Sequence, residues 1–204
     1  KILCRKNANY YGIMKKDDII KIFESTEALL SGHFVLTSGR HSASYFQCAK
    51  VLQYPEYLTM FALEIADNFE MENVDVVLSP AVGGIVLGTE VGRQLGVRTI
   101  FTERKNGKMV LRRGFNIENK ERILVVEDVV TTGGSVKEAI ELAKNEDGIV
   151  VGAGILVDRS NGNVNIHSNQ YAITTMESES FHPNNVPDKL AIIPIQKPGS
   201  RYIV

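Results

Sequence analysis

Cysteine is scarce in this chain. The two present, Cys4 and Cys48, lie far apart and form no Cys-x-x-Cys pair. Neither a disulfide framework nor a structural zinc site organises the fold, and the composition suits a reducing cytoplasm. Charge of one sign is also lacking: 23 basic against 24 acidic residues leave a net charge of −1. A general nucleic-acid or membrane binder carries a clear basic excess, so both are disfavoured. No apolar run approaches the roughly 20 residues of a membrane span. The histidines (His33, His41, His167, His182) show no metal-ligand spacing, and there are no repeats or low-complexity tracts. The N-terminus lacks the apolar stretch of a secretory signal. Met14 reads as a natural start, with residues 1–13 a leader or upstream extension.

What is present is an α/β pattern. With 204 residues, 44% of them hydrophobic, the chain can build one sizeable core and a small flap. Asp17 to Leu30 has helical periodicity, with Asp17 or Asp18 as its cap. "GHFVLTSGRHSASYFQCAK" (32–50) alternates as a hairpin does. Pro55 to Met71 reads as a helix. Beyond it, "VDVVLS", "VRTIFTE", "RILVVEDVV" and "GIVVGAGILVD" are continuous apolar runs separated by helical stretches at 83–96 and 135–145. Strands that do not alternate belong to a parallel sheet covered on both faces. Small residues at 84, 88 and 92 give the 83–96 helix a smooth face, and Gly96 is its C-cap. The segment 104–120 is a basic, Gly-punctuated excursion with short strands.

One loop carries chemistry. After "RILVVEDVV" come Thr131, Thr132, Gly133, Gly134 and Ser135, then helix. Two glycines, three hydroxyls and a helix N-terminus suit a phosphate. Glu127 and Asp128, just before, would repel a phosphate in contact but suit ribose hydroxyls or Mg²⁺. The stretch reads as a sugar-phosphate site, although Thr-Thr-Gly-Gly-Ser alone also serves as an ordinary helix start. Neither a G-x-x-x-x-G-K-[ST] loop nor a Rossmann G-x-G-x-x-G is present.

The full pattern of apolar strand, Glu-Asp, two apolar residues, Thr-Thr-Gly-Gly-Ser and helix resembles the phosphoribosyl pyrophosphate (PRPP) motif of type I phosphoribosyltransferases. Three further stretches resemble the orotate phosphoribosyltransferases in their short prokaryotic form. "HFVLTSGRHSASYF" (33–46) is similar to their hood, "LSPAVGGIVLG" (78–88) to their pyrophosphate loop, and "FTERKNGKMVLRRGF" (101–115) to their flexible catalytic loop. "IQKPGSR" near the end resembles their tail.

That resemblance implies a mostly parallel twisted sheet flanked by helices, with a small hood. It divides the chain into a helix and hood (14–60), a PRPP-binding core (61–175) and a C-terminal extension on hood or core (176–204). The implied reaction joins orotate and PRPP into orotidine 5′-monophosphate (OMP) and pyrophosphate, through a transition state with oxocarbenium character. PRPP is held by Ala81, Val82, Gly83, Gly84, Arg104, Lys105, Lys108, Glu127, Asp128, Val129, Val130, Thr131, Thr132, Gly133, Gly134 and Ser135. The 81–84 loop carries a non-proline cis peptide at Ala81–Val82. Arg104, Lys105 and Asp128 are the catalytic residues. Tyr45, Phe46 and Thr131 lie beside orotate, and Arg159 takes its carboxylate. Mg²⁺ is the cofactor and arrives with PRPP; no protein group is a direct ligand, and Asp128 reaches the ion through water. A cytoplasmic homodimer shares loop 101–115 across its interface. Nucleic acid and membrane are not partners.

Three positions depart from the longer bacterial form. Gly83 and Thr37 stand where that form has lysines, and Val110 falls near its loop histidine. The diphosphate then leans on Arg104, Lys105, Lys108, backbone amides and Mg²⁺. Two other functions compete: transfer to another nucleobase, and a non-catalytic PRPP-sensing regulator.

Overall fold

The structure is a computed structural model that describes residues 15–36, 39–176 and 179–196. The expected leader, Thr37 and the tail beyond Gln196 lie outside these residues. In chain order the elements begin with α1 (Lys16–Ser25), β1 (Leu29–Val35), β2 (His41–Phe46), α2 (Ala49–Leu52), α3 (Pro55–Asn68), β3 (Val76–Pro80), α4 (Gly83–Leu95) and β4 (Arg98–Lys105). There follow β5 (Lys108–Leu111), β6 (Arg122–Val130), α5 (Gly134–Asn145), β7 (Ile149–Asp158), β8 (Gln170–Thr175), β9 (Ser180–Phe181), α6 (Asp188–Ala191) and β10 (Ile195–Gln196). They fall into two compact units, residues 52–176 and residues 15–51 with the C-terminal segment.

The larger unit is a six-stranded sheet in the order β5-β4-β3-β6-β7-β8. All its pairings are parallel except β4 with β5. Its strands are apolar on both faces because helices cover both. Val76, Leu78, Ile100, Ile123 and Val125 pack with Val136, Ala139, Ile140 and Ala143 of α5. The other face takes α4. A methyl group on Gly88 would overlap Ser79, and one on Gly92 would overlap Thr99. The predicted smooth face is therefore what lets α4 lie close on β3 and β4. Gly96 ends α4 with φ +72°, as expected of a C-cap.

The order of strands creates a crevice. From β3 the chain crosses through α4 to β4 on one side. From β6 it crosses through α5 to β7 on the other. Since β3 and β6 are neighbours, their carboxyl ends flank the point where the sheet's winding reverses, which is where open α/β sheets bind ligands.

The smaller unit is a four-stranded sheet, β10-β1-β2-β9. The predicted hairpin is its centre, and the C-terminal segment supplies both edges. Helix α1 buries Ile19 and Phe23, the latter edge-on to Phe46 at 4.8 Å between centroids.

Three expectations need correction. The first helix stops at Ser25, not Leu30. The Ser25 hydroxyl donates to the Ile22 carbonyl, as does that of Thr26, and Glu27 turns the chain at φ +56°. Leu29 and Leu30 thereby join β1. Its N-cap is Lys15, with Asp17 and Asp18 in the first turn, where they favour the positive end of the helix. The core begins at residue 52 rather than 61, because α3 packs on the large sheet. Ile65 and Phe69 sit against Gly154 and Gly152 of β7, where a side chain would collide with them.

Candidate active site

Both helices at the crevice begin uncapped. No side chain caps α4 at Val82 or α5 at Gly133. Each first turn therefore offers backbone N–H groups to an anion, reinforced by the helix dipole. Two such ends beside neighbouring strands put two sets of free backbone N–H groups at one crevice.

The α5 end is the better defined. Glu127 and residues 129–136 line a recess. Gly133 is buried and left-handed, φ +74°, while Thr131, Thr132, Gly134 and Ser135 are exposed. Ordinary L-residues avoid that backbone region. Beneath Gly133 lie Val164 and Ile166: a methyl group there would come within 2.8 Å of Val164 Cγ1 and 3.2 Å of Ile166 Cγ1. The loop after β7 thus supports the 131–135 loop from below. No pattern in "NGNVNI" marked this, because the contact arises only when the two loops meet.

At the α4 end the peptide between Ala81 and Val82 is cis, as expected. Ala81, Val82 and Gly83 are exposed. A Cβ on Gly83 would overlap the carboxylate of Asp128. In this arrangement Asp128 occupies the space through which a side chain at 83 would leave the backbone.

Glu127 and Asp128 behave differently. Glu127 is buried, and the Asp128 backbone N–H donates to its Oε1 at 3.2 Å. Asp128 is half-buried, with its Oδ1 accepting from the Val129 N–H at 3.0 Å. Burial, then the adjacent Asp128 carboxylate, pushes the Glu127 carboxyl up to about 9. The upward shift favours the protonated form of Glu127 in the ligand-free protein, which can both donate and accept hydrogen bonds. A carboxyl that holds its proton more tightly folded than unfolded makes stability fall as pH rises between the two values, here from 4.5 to about 9. The melting temperature of the ligand-free protein should decline over that window. Glu127→Gln, which mimics the neutral acid, should flatten the decline and meet wild type near pH 4.5. Parallel melting curves for the two proteins would refute this assignment.

The basic excursion is the β4–β5 hairpin. Asn106 (φ +53°) and Gly107 (φ +80°) form its turn, the Asn-Gly signal of a two-residue hairpin. Arg104 is clamped by Glu138 of α5: Nη1 donates to Oε2 at 2.8 Å and Nη2 to Oε1 at 2.9 Å. Arg113 donates to both oxygens of Glu103 at 3.0 Å and lies over Phe101. Arg112 lies 3.9 Å from the same carboxylate. Lys105 and Lys108 face each other across the hairpin end and have no ion pair among the described residues. Glu138 was not foreseen as a site residue, since a lone acid on a helix gives no sign of what it faces.

Arg159 follows β7, and its backbone N–H donates to Val130 at 2.8 Å, beside the phosphate loop. Asp158 is buried; it accepts from the Ser160 and Gly162 N–H groups at 2.7 and 3.0 Å, holding the turn that follows. In the smaller unit, the Phe46 ring is buried against Phe23, so only its backbone can meet a ligand. Tyr45 is half-buried and donates to Gln47. His41 bonds His33 at 2.6 Å, and His33 bonds the Ile193 carbonyl at 3.0 Å. This ties the hairpin to the C-terminal segment.

Among the described residues no cluster of three or more His, Cys, Asp or Glu could hold a metal. The half-buried carboxylate of Asp128 does suit Mg²⁺, which takes one or two carboxylates together with substrate phosphates. No helix among these residues is long and apolar enough to cross a membrane.

Comparison with known proteins shows what the chain is similar to. A sequence model of the phosphoribosyl transferase domain matches residues 58–188. The orotate phosphoribosyltransferase of Chlorobium phaeobacteroides is 56% identical over 188 residues, covering 92% of this chain and 97% of that protein. That of Desulforamulus reducens is 53% identical, covering 93% and 100%. Among solved structures, the orotate phosphoribosyltransferase from Aeropyrum pernix aligns with a TM-score of 0.64 at 24% identity, over 77% of this chain and 93% of that one. At that identity the likeness shows the fold.

Proposed function

This chain belongs to the orotate phosphoribosyltransferases, and from that premise we infer how its residues share the work. The reaction joins orotate to the 5-phosphoribosyl group of PRPP and gives OMP and pyrophosphate, a step of pyrimidine biosynthesis. The bond between ribose C1 and the diphosphate breaks, and a bond from C1 to the base nitrogen forms. Because positive charge develops at C1, the protein has little covalent work. It positions two substrates, stabilises a polyanionic leaving group and excludes water.

The observation that carries the assignment of groups is the pair of uncapped helix ends at one crevice. The α5 end, with Thr131, Thr132, Gly133, Gly134 and Ser135, takes the 5′-phosphate. The α4 end, with Ala81, Val82, Gly83 and Gly84, takes the diphosphate. Between them Asp128 and Glu127 meet the ribose hydroxyls. Mg²⁺, when bound with the diphosphate, offsets its charge. Arg104, Lys105 and Lys108 close on the diphosphate from the hairpin, across the interface of a homodimer. Two cysteines in 204 residues suit the reducing cytoplasm, where we place the enzyme.

Arg159 is the proposed partner of the orotate carboxylate. An Arg fork gains little from a neutral base but pairs with a carboxylate through two hydrogen bonds. The test is turnover of orotate, adenine and hypoxanthine with PRPP and Mg²⁺, wild type against Arg159→Ala. Orotate alone should react, and the variant should raise the orotate KM about 10- to 100-fold, the loss of one charge-assisted pair, with little change for PRPP. Equal effects on both KM values would remove Arg159 from the base site.

A further inference from the structure

The Arg104–Glu138 clamp has a consequence for how the enzyme takes up PRPP. Arg104 lies at the end of β4, two residues beyond Thr102 and four beyond Ile100. Those side chains face α5, because alternation along a strand puts every second residue on one face. Ile100 is buried in the α5 core cluster. Arg104 is thus delivered to the first turns of α5, where Glu138 meets it. Both terminal guanidinium nitrogens are used on the two carboxylate oxygens, and Nη1 also donates to the Gly107 carbonyl at 2.9 Å. That edge of the guanidinium is the one a diphosphate would need.

We propose that Glu138 is a resting latch. It holds Arg104 in place of the diphosphate, and PRPP must displace it before the hairpin can engage. The inference rests on the proposed role of Arg104. Glu138 lies one helical turn beyond Gly134, so the latch holds Arg104 on α5 of its own subunit, away from the partner site that the hairpin is proposed to serve. Its strength suits a reversible contact: the side chains of Arg104 and Glu138 are 47% and 45% exposed, where water screens the attraction. A buried pair would hold the hairpin too firmly to be exchanged for substrate.

The latch makes Glu138 a positioning residue that lowers apparent PRPP affinity without touching substrate. Steady-state kinetics of Glu138→Gln, Arg104→Ala and the double variant test it. Glu138→Gln should lower the KM for PRPP about two- to fivefold, the size of one half-exposed ion pair, with kcat and the orotate KM unchanged. Arg104→Ala should raise the PRPP KM. In the Arg104→Ala background Glu138→Gln should do nothing further, because the carboxylate acts only through that guanidinium. Glu138→Asp, which keeps the charge, should stay near wild type.

A PRPP KM that rises or stays constant in Glu138→Gln overturns the latch, as does an effect that survives in the double variant. If Arg104→Ala itself leaves the PRPP KM unchanged, the proposed role of Arg104 fails and the latch fails with it. That outcome is distinct from one in which Arg104 matters and Glu138 does not.

Discussion

Gly133→Ala is expected to raise the KM for PRPP about 10- to 100-fold. Two costs act together. Gly133 sits at φ +74°, where an L-residue pays about 1–2 kcal/mol. The added methyl would also press on Val164 Cγ1 at 2.8 Å and Ile166 Cγ1 at 3.2 Å. The loop can relieve both only by moving, and its N–H groups move with it. Each 1.4 kcal/mol of lost binding is tenfold in affinity. Because Gly133 is also the N-cap of α5, the melting temperature should fall by a few degrees while the fold survives. Orotate KM should change far less. A variant that melts lower yet keeps its PRPP KM would show that this loop does not hold the 5′-phosphate.

Lys105→Ala should lower kcat about 100- to 1,000-fold, the usual loss when one preorganised charge aimed at the transition state is removed. Lys105 and Lys108 stand opposite each other at the hairpin end, an arrangement that costs free energy because like charges repel across strands. An anion between them removes that cost, and the anion available here is a leaving group gaining charge as its bond to C1 breaks. Substrate binding should be less affected than turnover. A kcat within threefold of wild type would take Lys105 out of the mechanism. Mixing this variant with Gly133→Ala tests the shared loop. If each hairpin serves its partner's site, a mixed dimer has one site with both defects and one with neither, so at PRPP well below the wild-type KM about a quarter of wild-type activity returns on random reassortment. No recovery would place the hairpin over its own subunit's site.

The features legible in the chain were those that depend on neighbours in sequence. Strand, acid pair, hydroxyls, glycines and helix follow one another within fourteen residues, from Val125 to Glu138. Each local preference there points to the same structure. The cis bond at Ala81–Val82 and the glycine stripe of α4 were likewise foreseen, the first from resemblance and the second from spacing. Leu29 and Leu30 misled because two leucines continue a helical pattern as easily as they start a strand. What ended the helix was the side-chain bonding of Ser25 and Thr26 back to Ile22, which competes with a further helical turn. The Asn106–Gly107 pair is a local hairpin signal of the same kind.

The chain by itself determined the order of chemical groups: an acid pair and a hydroxyl- and glycine-rich loop after one strand, a glycine pair opening a helix after another, and a basic hairpin between them. Tertiary structure alone decided which groups meet. It brought β3 beside β6, so that two helix ends 51 positions apart in the chain, at Gly83 and Gly134, open on one crevice. It set Asp128 where a side chain at 83 would stand, buried Glu127 until it keeps its proton, slid Val164 and Ile166 under Gly133, and gave Arg104 a carboxylate to hold. The physical reason is range. Propensity, capping and turn chemistry act over a few residues, whereas burial, overlap and the field of a neighbouring charge depend on distance in space, which no pattern along the chain records.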